Sequence, residues 1–429
     1  GWRSQRGATA IAIVALALGI GATTTVFAFV SGALLKPLPY PDPDRLVMVL
    51  QDRSAFGGPA REVISPGLFV DWSRRAAALE GVSAIRIWSP NLTGKDRSGL
   101  DEPERLAGAA VTGDYFHTLG ISPLHGRAFG RDDDRFGAAN TVILSHRLWM
   151  RRFAGDPGLI GQTITLDSQP AEVIGIMPAT FRGAVVDADI WNTMRLDPGN
   201  APRGIIMLRA IARLAPGAAL EQAQAAMTTL QTQLQQEDPE LLGARARLIP
   251  LHDDIVGPVK PVLLVLLGSV FMVLLIACAN VASILMARAT KRRAEMSVRV
   301  SLGADPWRLI RQLMTESALL AGAGGLLGLF LATFGVKTLI AMAPPAAPRL
   351  HDVEIDGVVL LFTAGIAAFS AMLAGLAPGL SVARGSVAAG LREGARETSG
   401  FSRPRGLLVM AEVADRKSTR LNSSHQIIS

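Results

Sequence analysis

Four stretches of this 429-residue chain carry no charged side chain: Ala8–Leu35, Pro261–Ala287, Ser317–Val336 and Gly357–Ala383. About 20 residues of apolar helix cross the roughly 30 Å hydrocarbon core of a bilayer. A single Lys, Arg or Asp at the centre of such a helix costs about 2.5–3.5 kcal/mol on insertion scales. Four long windows that avoid all of them predict four membrane spans, and none shows the alternation of a soluble strand. Lys337 follows the third window, where its ammonium can snorkel to the interface, so that span is expected to continue to Ala343. A cleaved signal peptide is the competing reading of Ala8–Leu35, with Arg3 and Arg6 as its basic region. Against it, the stretch exceeds the usual apolar length of a signal peptide and three further spans follow.

Charge sorts the segments between the spans. Gly1–Gly7 holds two arginines, Arg288–Arg311 holds 7 basic against 2 acidic residues, and Arg384–Gly406 holds 5 against 2. The 36–258 segment has 23 Lys and Arg against 26 Asp and Glu, and Pro344–Asp356 sets Arg349 against Asp352, Glu354 and Asp356. Basic loops stay cytoplasmic, so every segment agrees with one topology in which 36–258 lies outside. The same sorting explains how 49% hydrophobic residues coexist with 18% charged ones. A net charge of +7 would ordinarily raise nucleic acid as a partner. A duplex binder needs a basic face on a folded domain, and the one large polar domain here is slightly acidic, so no nucleic acid is expected.

The fold class that follows is an α-helical transmembrane bundle with an inserted α+β extracytoplasmic domain. Its expected parts are a cytoplasmic stub at 1–7, spans at 8–35, 259–287, 317–343 and 357–383, and the outer domain at 36–258. Cytoplasmic segments fill 288–316 and 384–406, and a short outer loop fills 344–356.

Within the outer domain, Leu38-Pro39-Tyr40-Pro41-Asp42-Pro43 predicts a stiff exit from the membrane, because each proline forbids helix continuation. Gly67–Leu79 reads as a short amphipathic helix using Phe69, Trp72 and Leu79. Glu104–Val111, Thr141–Leu144 and Ile205–Leu214 read as strands, Gly113–Leu119 as a helical turn and His146–Phe153 as a helix. Gly120, Pro123 and Gly126 break the chain between them. Gln162–Leu166 and Ala171–Ile176 predict a hairpin around Asp167-Ser168-Gln169-Pro170. Ala218–Gln236 places Leu220, Ala223, Met227, Leu230 and Leu234 on one helical face, a stripe expected to pack on the neighbouring sheet rather than bind a partner.

Catalytic patterns find little to work with. Gly94-Lys95-Asp96 lacks both the loop and the hydroxyl of a phosphate-binding P-loop, and no zinc-protease or serine-hydrolase motif occurs. His117, His125 and His146 have no ligand-like spacing, so no metal site is expected. Asp132-Asp133-Asp134 lacks the surrounding calcium loop and reads as a solvated turn. Cys278, the single cysteine, lies inside an apolar stretch and reads as a small buried hydrophobe. Energy must come from elsewhere.

The segment joining the second and third spans, ARATKRRAEMSVRVSLGADPWRLIRQLMTES, is basic and places Met296, Val300, Leu309 and Leu313 at helical spacing, with Gly303 dividing it into two expected short helices. A loop that only set orientation would need charge alone. An apolar stripe on the cytoplasmic face needs a contact from lipid or from a docked protein, and the protein is the favoured reading.

At Arg292-Arg293-Ala294-Glu295-Met296-Ser297-Val298-Arg299, Leu302-Gly303-Ala304 and Gln312-Leu313-Met314-Thr315-Glu316-Ser317 the chain resembles the FtsX/MacB-type permeases of ABC transporters. Leu35-Lys36-Pro37-Leu38-Pro39-Tyr40-Pro41, Phe116–Ile121, Gly126-Arg127-Ala128-Phe129, Ile143-Leu144-Ser145 with Leu148-Trp149, and Ile174–Pro178 through Phe181 are similar to its MacB-like periplasmic core branch. The resemblance covers roughly residues 8–383 and is greatest to the duplicated permeases of Acidobacteria. It implies a non-enzymatic permease of the bacterial inner membrane, with 36–258 periplasmic, that pairs with a separate ATP-binding subunit carrying ATP and magnesium; this chain would bind no cofactor. It also implies that Arg292, Arg293, Glu295, Arg299, Gly303 and Arg308 form the element coupled to that ATPase. The periplasmic domain would then move to extrude or extract a substrate, with a membrane-fusion adaptor as a further partner. An FtsX-like relay controlling an extracytoplasmic hydrolase is the alternative.

Gly324 and Gly328 form a small-residue motif that permits close helix packing, either with a second copy or within the chain, and Asn280 in the second span is expected to bond between helices. The ends carry their own expectations. Arg405–Ala414 repeats five of ten positions of Arg6–Ala15, as the start of a second permease half would, whereas Asp415–Ser429 resembles translated vector sequence.

Overall fold

The fold is described from a computed structural model for residues 2–54, 57–94, 103–238, 241, 243–291, 306–342, 349 and 352–390. The chain divides into two compact units: one holds residues up to Leu16 with Leu275–Gly325 and the chain from Gly365, and the other holds Ala17–Leu274 with Leu326–Ala364.

Helix α1 runs over Trp2–Val30. Its last turn widens over Ser31–Leu35, where Lys36 N donates to Ser31 O at 3.0 Å in the i→i−5 pattern. Lys36 is already extended (φ −68, ψ 131), and Pro37 and Pro39 keep the chain so. The stiff exit expected from the prolines is present.

The segment beyond folds as β1 (Leu46–Asp52), α2 (Pro66–Arg75), β2 (Leu79–Trp88), β3 (Asn91–Thr93), β4 (Glu104–Arg105), β5 (Gly108–Val111), α3 (Tyr115–Leu119) and β6 (His125–Gly126). It continues through β7 (Thr141–Leu144), α4 (His146–Phe153), β8 (Thr163–Leu166), β9 (Gln169–Ile176), β10 (Ile190–Thr193) and β11 (Arg209–Leu214). Helix α5 (Leu220–Glu237), β12 (Arg245–Pro250) and α6 (Leu251–Val256) close it. The strands form one twisted ribbon in the order β12-β1-β11-β2-β5-β10-β7-β9-β8-β3-β4, with β6 on β9. Pairing is antiparallel from β12 to β5, then parallel at β5–β10 and β7–β9.

Strand alternation sends side chains to both faces, and both are covered. Leu46, Met48 and Leu50 of β1 join Tyr115, Phe116 and Leu119 of α3 on one side. Val47 and Val49 join Leu68, Trp72, Met227 and Leu230 of α2 and α5 on the other. Fully burying such a side chain stabilises by about 1.5–3 kcal/mol. The stripe on α5 is therefore a core face, as its spacing implied, and Trp72 Nε1 donates to Gln231 Oε1 at 3.1 Å across it. A third cluster packs Leu148 and Trp149 of α4 on Val142, Leu144, Val173 and Ile190.

Several sequence expectations change at their edges. Helix α2 stops at Arg75, and Leu79 opens β2 instead of extending the helix. The strand expected over Glu104–Val111 is two strands, because Leu106 N leaves the ladder to donate to Pro90 O at 2.8 Å. The strand expected from Ile205 begins at Arg209, and Ile205 is exposed. In the hairpin the turn is only Asp167-Ser168, both at positive φ (49 and 65), while Gln169 and Pro170 belong to β9.

The polar run Asp132-Asp133-Asp134 is solvated only at Asp132. Asp133 is buried and accepts from Arg127 at 2.6 and 2.9 Å and from Gly130 N at 2.8 Å. Asp134 accepts from the backbone N–H of Gly113 and Arg195 at 2.9 and 2.8 Å. Both are clasps for loops. Arg127 holds the Asp133 carboxyl below its ordinary range, whereas burial raises that of Asp134.

Helices α7 (Lys260–Lys291), α8 (Pro306–Met342) and α9 (Gly357–Gly390) follow. With α1 they contain four stretches long and apolar enough to cross a membrane, at Gly7–Leu35, Lys260–Ala287, Met314–Met342 and Gly357–Gly375. The second of the two short helices expected around Gly303 is no separate element. Nothing breaks the helix between Pro306 and Met342, so this half is continuous with the third span. Cys278 is buried and unpaired, as its apolar setting implied.

Candidate functional site

Of the six residues expected to couple to an ATPase, one lies among the described residues. Arg292, Arg293, Glu295, Arg299 and Gly303 lie outside the described residues, as do 391–429, and Arg308 sits in the first turn of α8. The helix-packing residues are better defined. A Cβ on Gly328 would stand 2.9 Å from Ala17 O, and one on Gly21 2.9 Å from Gly328 O, so α1 and α8 meet backbone to backbone. Two turns along, a Cβ on Gly335 would meet Thr25 Oγ1 at 2.7 Å. On α8, Gly328 and Gly335, seven residues apart, both make this approach to α1. Gly324 is buried, and its neighbour Gly325 faces Ala367. Thr24 and Thr363 share a hydrogen bond at 3.1 Å, and Phe27 stacks on Phe362 at 3.7 Å, fixing α1 to α9. Asn280 is exposed on α7, the least enclosed of the four spans (17% of its apolar window buried, against 61% for α1). The bond between helices expected of Asn280 is not formed within the described residues; its amide faces outward.

What the sequence left unremarked is the clamp on the exit segment 36–42. Arg349, at φ 59 and with a buried side chain, donates from Nη1 to Ala33 O (3.2 Å) and Lys36 O (2.7 Å), from Nη2 to Pro37 O (3.0 Å) and from Nε to Asp352 Oδ2 (2.8 Å). It therefore supplies donors to carbonyls that α1 leaves open at its C-terminal end. Lys36 returns the contact, donating to Asp352 O at 2.9 Å and pairing with Asp356 at 3.3 Å. Asp356 in turn caps α9 by accepting from Val358 N and Val359 N at 3.1 and 3.0 Å. Its carboxyl is held low, chiefly by the Val359 bond. Gly32 has no room for a side chain, since a Cβ would lie 2.7 Å from Asp352 O.

The other end of the same segment is fastened to the sheet. Arg213 on β11, also buried, donates to Thr118 O at 2.8 Å, Pro41 O at 3.1 Å and Asp42 O at 3.4 Å. Between the two arginines, the buried Tyr40 donates to Arg182 O at 2.7 Å, and burial pushes its phenol well above the ordinary value. At the return to the membrane, Arg61 pairs with Asp254 of α6. The chain between helix and sheet is thus a strut braced by Arg349 at one end and Arg213 at the other.

Beside the strut lies a cavity of about 780 Å³, walled by Tyr40, Met48, Leu50, Ile87, Arg182 and Arg209 among others. Among the described residues, no group of three His, Cys, Asp or Glu side chains could hold a metal ion. His125 and His146 instead stand edge-on to Trp149, each with ring centres 5.5 Å apart.

Comparison with known proteins adds two matches that together cover most of the chain. The MacB-like periplasmic core domain matches residues 9–230, and the FtsX-like permease C-terminal region matches residues 267–387. The macrolide export ATP-binding/permease protein MacB of Chromobacterium violaceum is 25% identical over 62% of this chain and 41% of its own length. The pyoverdine export ATP-binding/permease protein PvdT of Pseudomonas aeruginosa is 28% identical over 55% of this chain and 33% of its own length. The chain thus spans about two-fifths or less of these relatives. Among solved structures, the periplasmic region of MacB from Actinobacillus actinomycetemcomitans is similar at 12% identity and a TM-score of 0.36, over 50% of this chain and 92% of that one.

Proposed function

This chain belongs to the FtsX/MacB-type permeases of ABC transporters, multi-pass membrane proteins, and we propose that it couples ATP hydrolysis on a separate subunit to movement of its outer domain, for efflux or extraction of a substrate. The observation that carries this reading is the strut. A flexible linker would absorb a helix displacement, whereas 36–42 is held by Arg349 at one end and Arg213 at the other. Export appears in the names of both relatives, which supports a transport role but gives this chain no particular substrate.

In this reading the membrane is the bacterial inner membrane and the 36–258 domain is periplasmic. ATP and magnesium reside on the partner ATPase, which docks against Arg292, Arg293, Glu295, Arg299, Gly303 and Arg308. A periplasmic adaptor and pairing with a second copy or a second permease half complete the assembly. An FtsX-like relay acting on an extracytoplasmic hydrolase would use the same strut, and the match of residues 267–387 to the FtsX-like region keeps it as the second reading.

The test is to co-purify the protein with its ATP-binding subunit, place the complex in nanodiscs, and follow a distance probe on the outer domain during ATP turnover. Glu295→Arg and Gly303→Pro are expected to lower ATP turnover and abolish the distance change. Unaltered turnover and motion in both variants would discredit the coupling assignment. Directional export of a candidate compound separates the transporter from the relay, which would move without exporting anything.

A further inference from the structure

We propose that the cavity beside the strut binds an amphiphile with an anionic head group, the head on Arg182 and Arg209 and the apolar part against Met48, Leu50 and Ile87. Its volume of about 780 Å³ lies within the range of small-molecule sites. Four arginines and three aspartates line it: Arg61, Arg182, Arg209 and Arg349 against Asp187, Asp254 and Asp352.

The pairing within that set is uneven. Asp254 is taken by Arg61, Asp352 by Arg349, and Asp187 by Arg147 from outside the cavity. Among the described residues, Arg182 donates only to the carbonyls of Ala179 and Phe181, both at 2.8 Å, which satisfies donors without neutralising charge. Arg209, exposed at the start of β11, has no side-chain partner among the described residues. Two arginines of the lining thus carry charge that no carboxylate among the described residues pairs with, and a guanidinium fork is suited to phosphate or carboxylate oxygens.

The rest of the wall asks for something else. Ile87 is 62% exposed although it lines the cavity, and the buried Met48 and Leu50 line it too. An inorganic anion would satisfy the arginines and leave this apolar surface wet, whereas a neutral apolar molecule would leave the cations unmatched. Only a ligand carrying both parts answers both. The wall also includes Pro258 and Val259, immediately before α7, so the cavity adjoins the point where the chain enters the apolar span. A membrane phospholipid and a free anionic amphiphile share this chemistry.

The inference extends the transport reading by naming a substrate class, yet the binding it predicts needs neither ATP nor a partner. Its failure would leave coupling untouched, and failed coupling would leave the cavity's ligand unchanged. The experiment is calorimetric titration of the full chain in amphipol with dihexanoyl phosphatidic acid, octyl phosphate, dihexanoyl phosphatidylcholine and inorganic phosphate.

Both anionic amphiphiles are expected to bind about tenfold or more tightly than the zwitterionic lipid or inorganic phosphate, the margin of a charge-assisted contact. Tighter binding of the two-chain probe identifies a bilayer lipid as the source, and tighter binding of octyl phosphate a free amphiphile. Arg209→Glu should weaken both by about tenfold or more. Ile87→Glu, at an exposed position that tolerates charge, should do the same and guards against misfolding of the first variant. Affinities of both variants within about twofold of the unaltered protein, or equal binding of inorganic phosphate, would overturn the proposal.

Discussion

Replacing Arg349 by Met keeps the bulk of the side chain and removes the fork that holds the exit segment. Four bonds go with it: three to carbonyls of Ala33, Lys36 and Pro37 and one to Asp352. A hydrogen bond to a charged group contributes about 1.5–3 kcal/mol, but these are not additive, and the adjacent cavity lets water reach the freed carbonyls. Loss of one partner of a buried ion pair costs about 3–5 kcal/mol, and Asp352, about one-third exposed, recovers part of that from solvent. A net local loss of about 2–4 kcal/mol follows. Arg349 also sits at φ 59, a left-handed conformation that costs a side-chain-bearing residue about 1–2 kcal/mol, so the bonds must exceed that cost to keep it there. Without them the loop has reason to relax.

Hydrogen exchange read by mass spectrometry on peptides covering 31–45 should therefore accelerate by about thirtyfold or more, while peptides of α5 keep their protection. Arg349→Lys retains the charge but cannot serve three carbonyls and a carboxylate at once, and should fall between the two. In the assembled complex, Arg349→Met should leave ATP turnover near normal while the outer domain ceases to follow it. Unchanged exchange over 31–45 in Arg349→Met would refute the idea that this arginine braces the strut.

Gly328→Val forces a branched side chain into a 2.9 Å gap at Ala17 O and should cost about 1–3 kcal/mol or more, seen as a lower melting temperature in detergent. Ser168→Gly, at φ 65 in a two-residue hairpin turn, should raise the melting temperature by relieving about 0.5–1 kcal/mol of strain. The Asp133 carboxyl has its folded pKa depressed below the ordinary 3.8 by Arg127, so the unfolded chain takes up its proton first as pH falls. Its stabilisation is complete above pH 3.8 and fades below it, and the gap in melting temperature between the unaltered protein and Asp133→Asn should shrink only in that acidic range. A gap that narrows on raising the pH from 5 to 8 would contradict the sign.

Sequence patterning revealed most of what depends on a one-dimensional period. The four spans, the α5 stripe and the β7–α4 unit at Thr141–Phe153 stand where hydrophobic spacing put them, because each buries a face set by its own repeat. The strand β1 went unread for the same reason. Leu46–Leu50 is covered on both faces, so it shows a continuous apolar run with no alternation to identify it. Asp133 and Asp134 looked like a solvated turn because acidic runs usually are, and their partners Arg127, Gly113 and Arg195 are brought in only by the fold. The strut was equally hidden. Arg349 and Arg213 are 136 positions apart, and neither stands in a recognisable motif; the prolines at 37, 39 and 41, which leave carbonyls without donating, were the one available hint.

The widened turn at Ser31–Leu35 stores one surplus residue at the root of the outer domain. In an ordinary helix each residue advances the azimuth by about 100°, but the widened turn takes up one residue without passing that rotation on, so deleting one of the five would let the turn tighten with the chain downstream still aimed as before. A deletion in the regular turns of α1 before it has no such slack to draw on and would rotate the strut by about 100°, so that Arg349 and Arg213 could no longer grip the same carbonyls together.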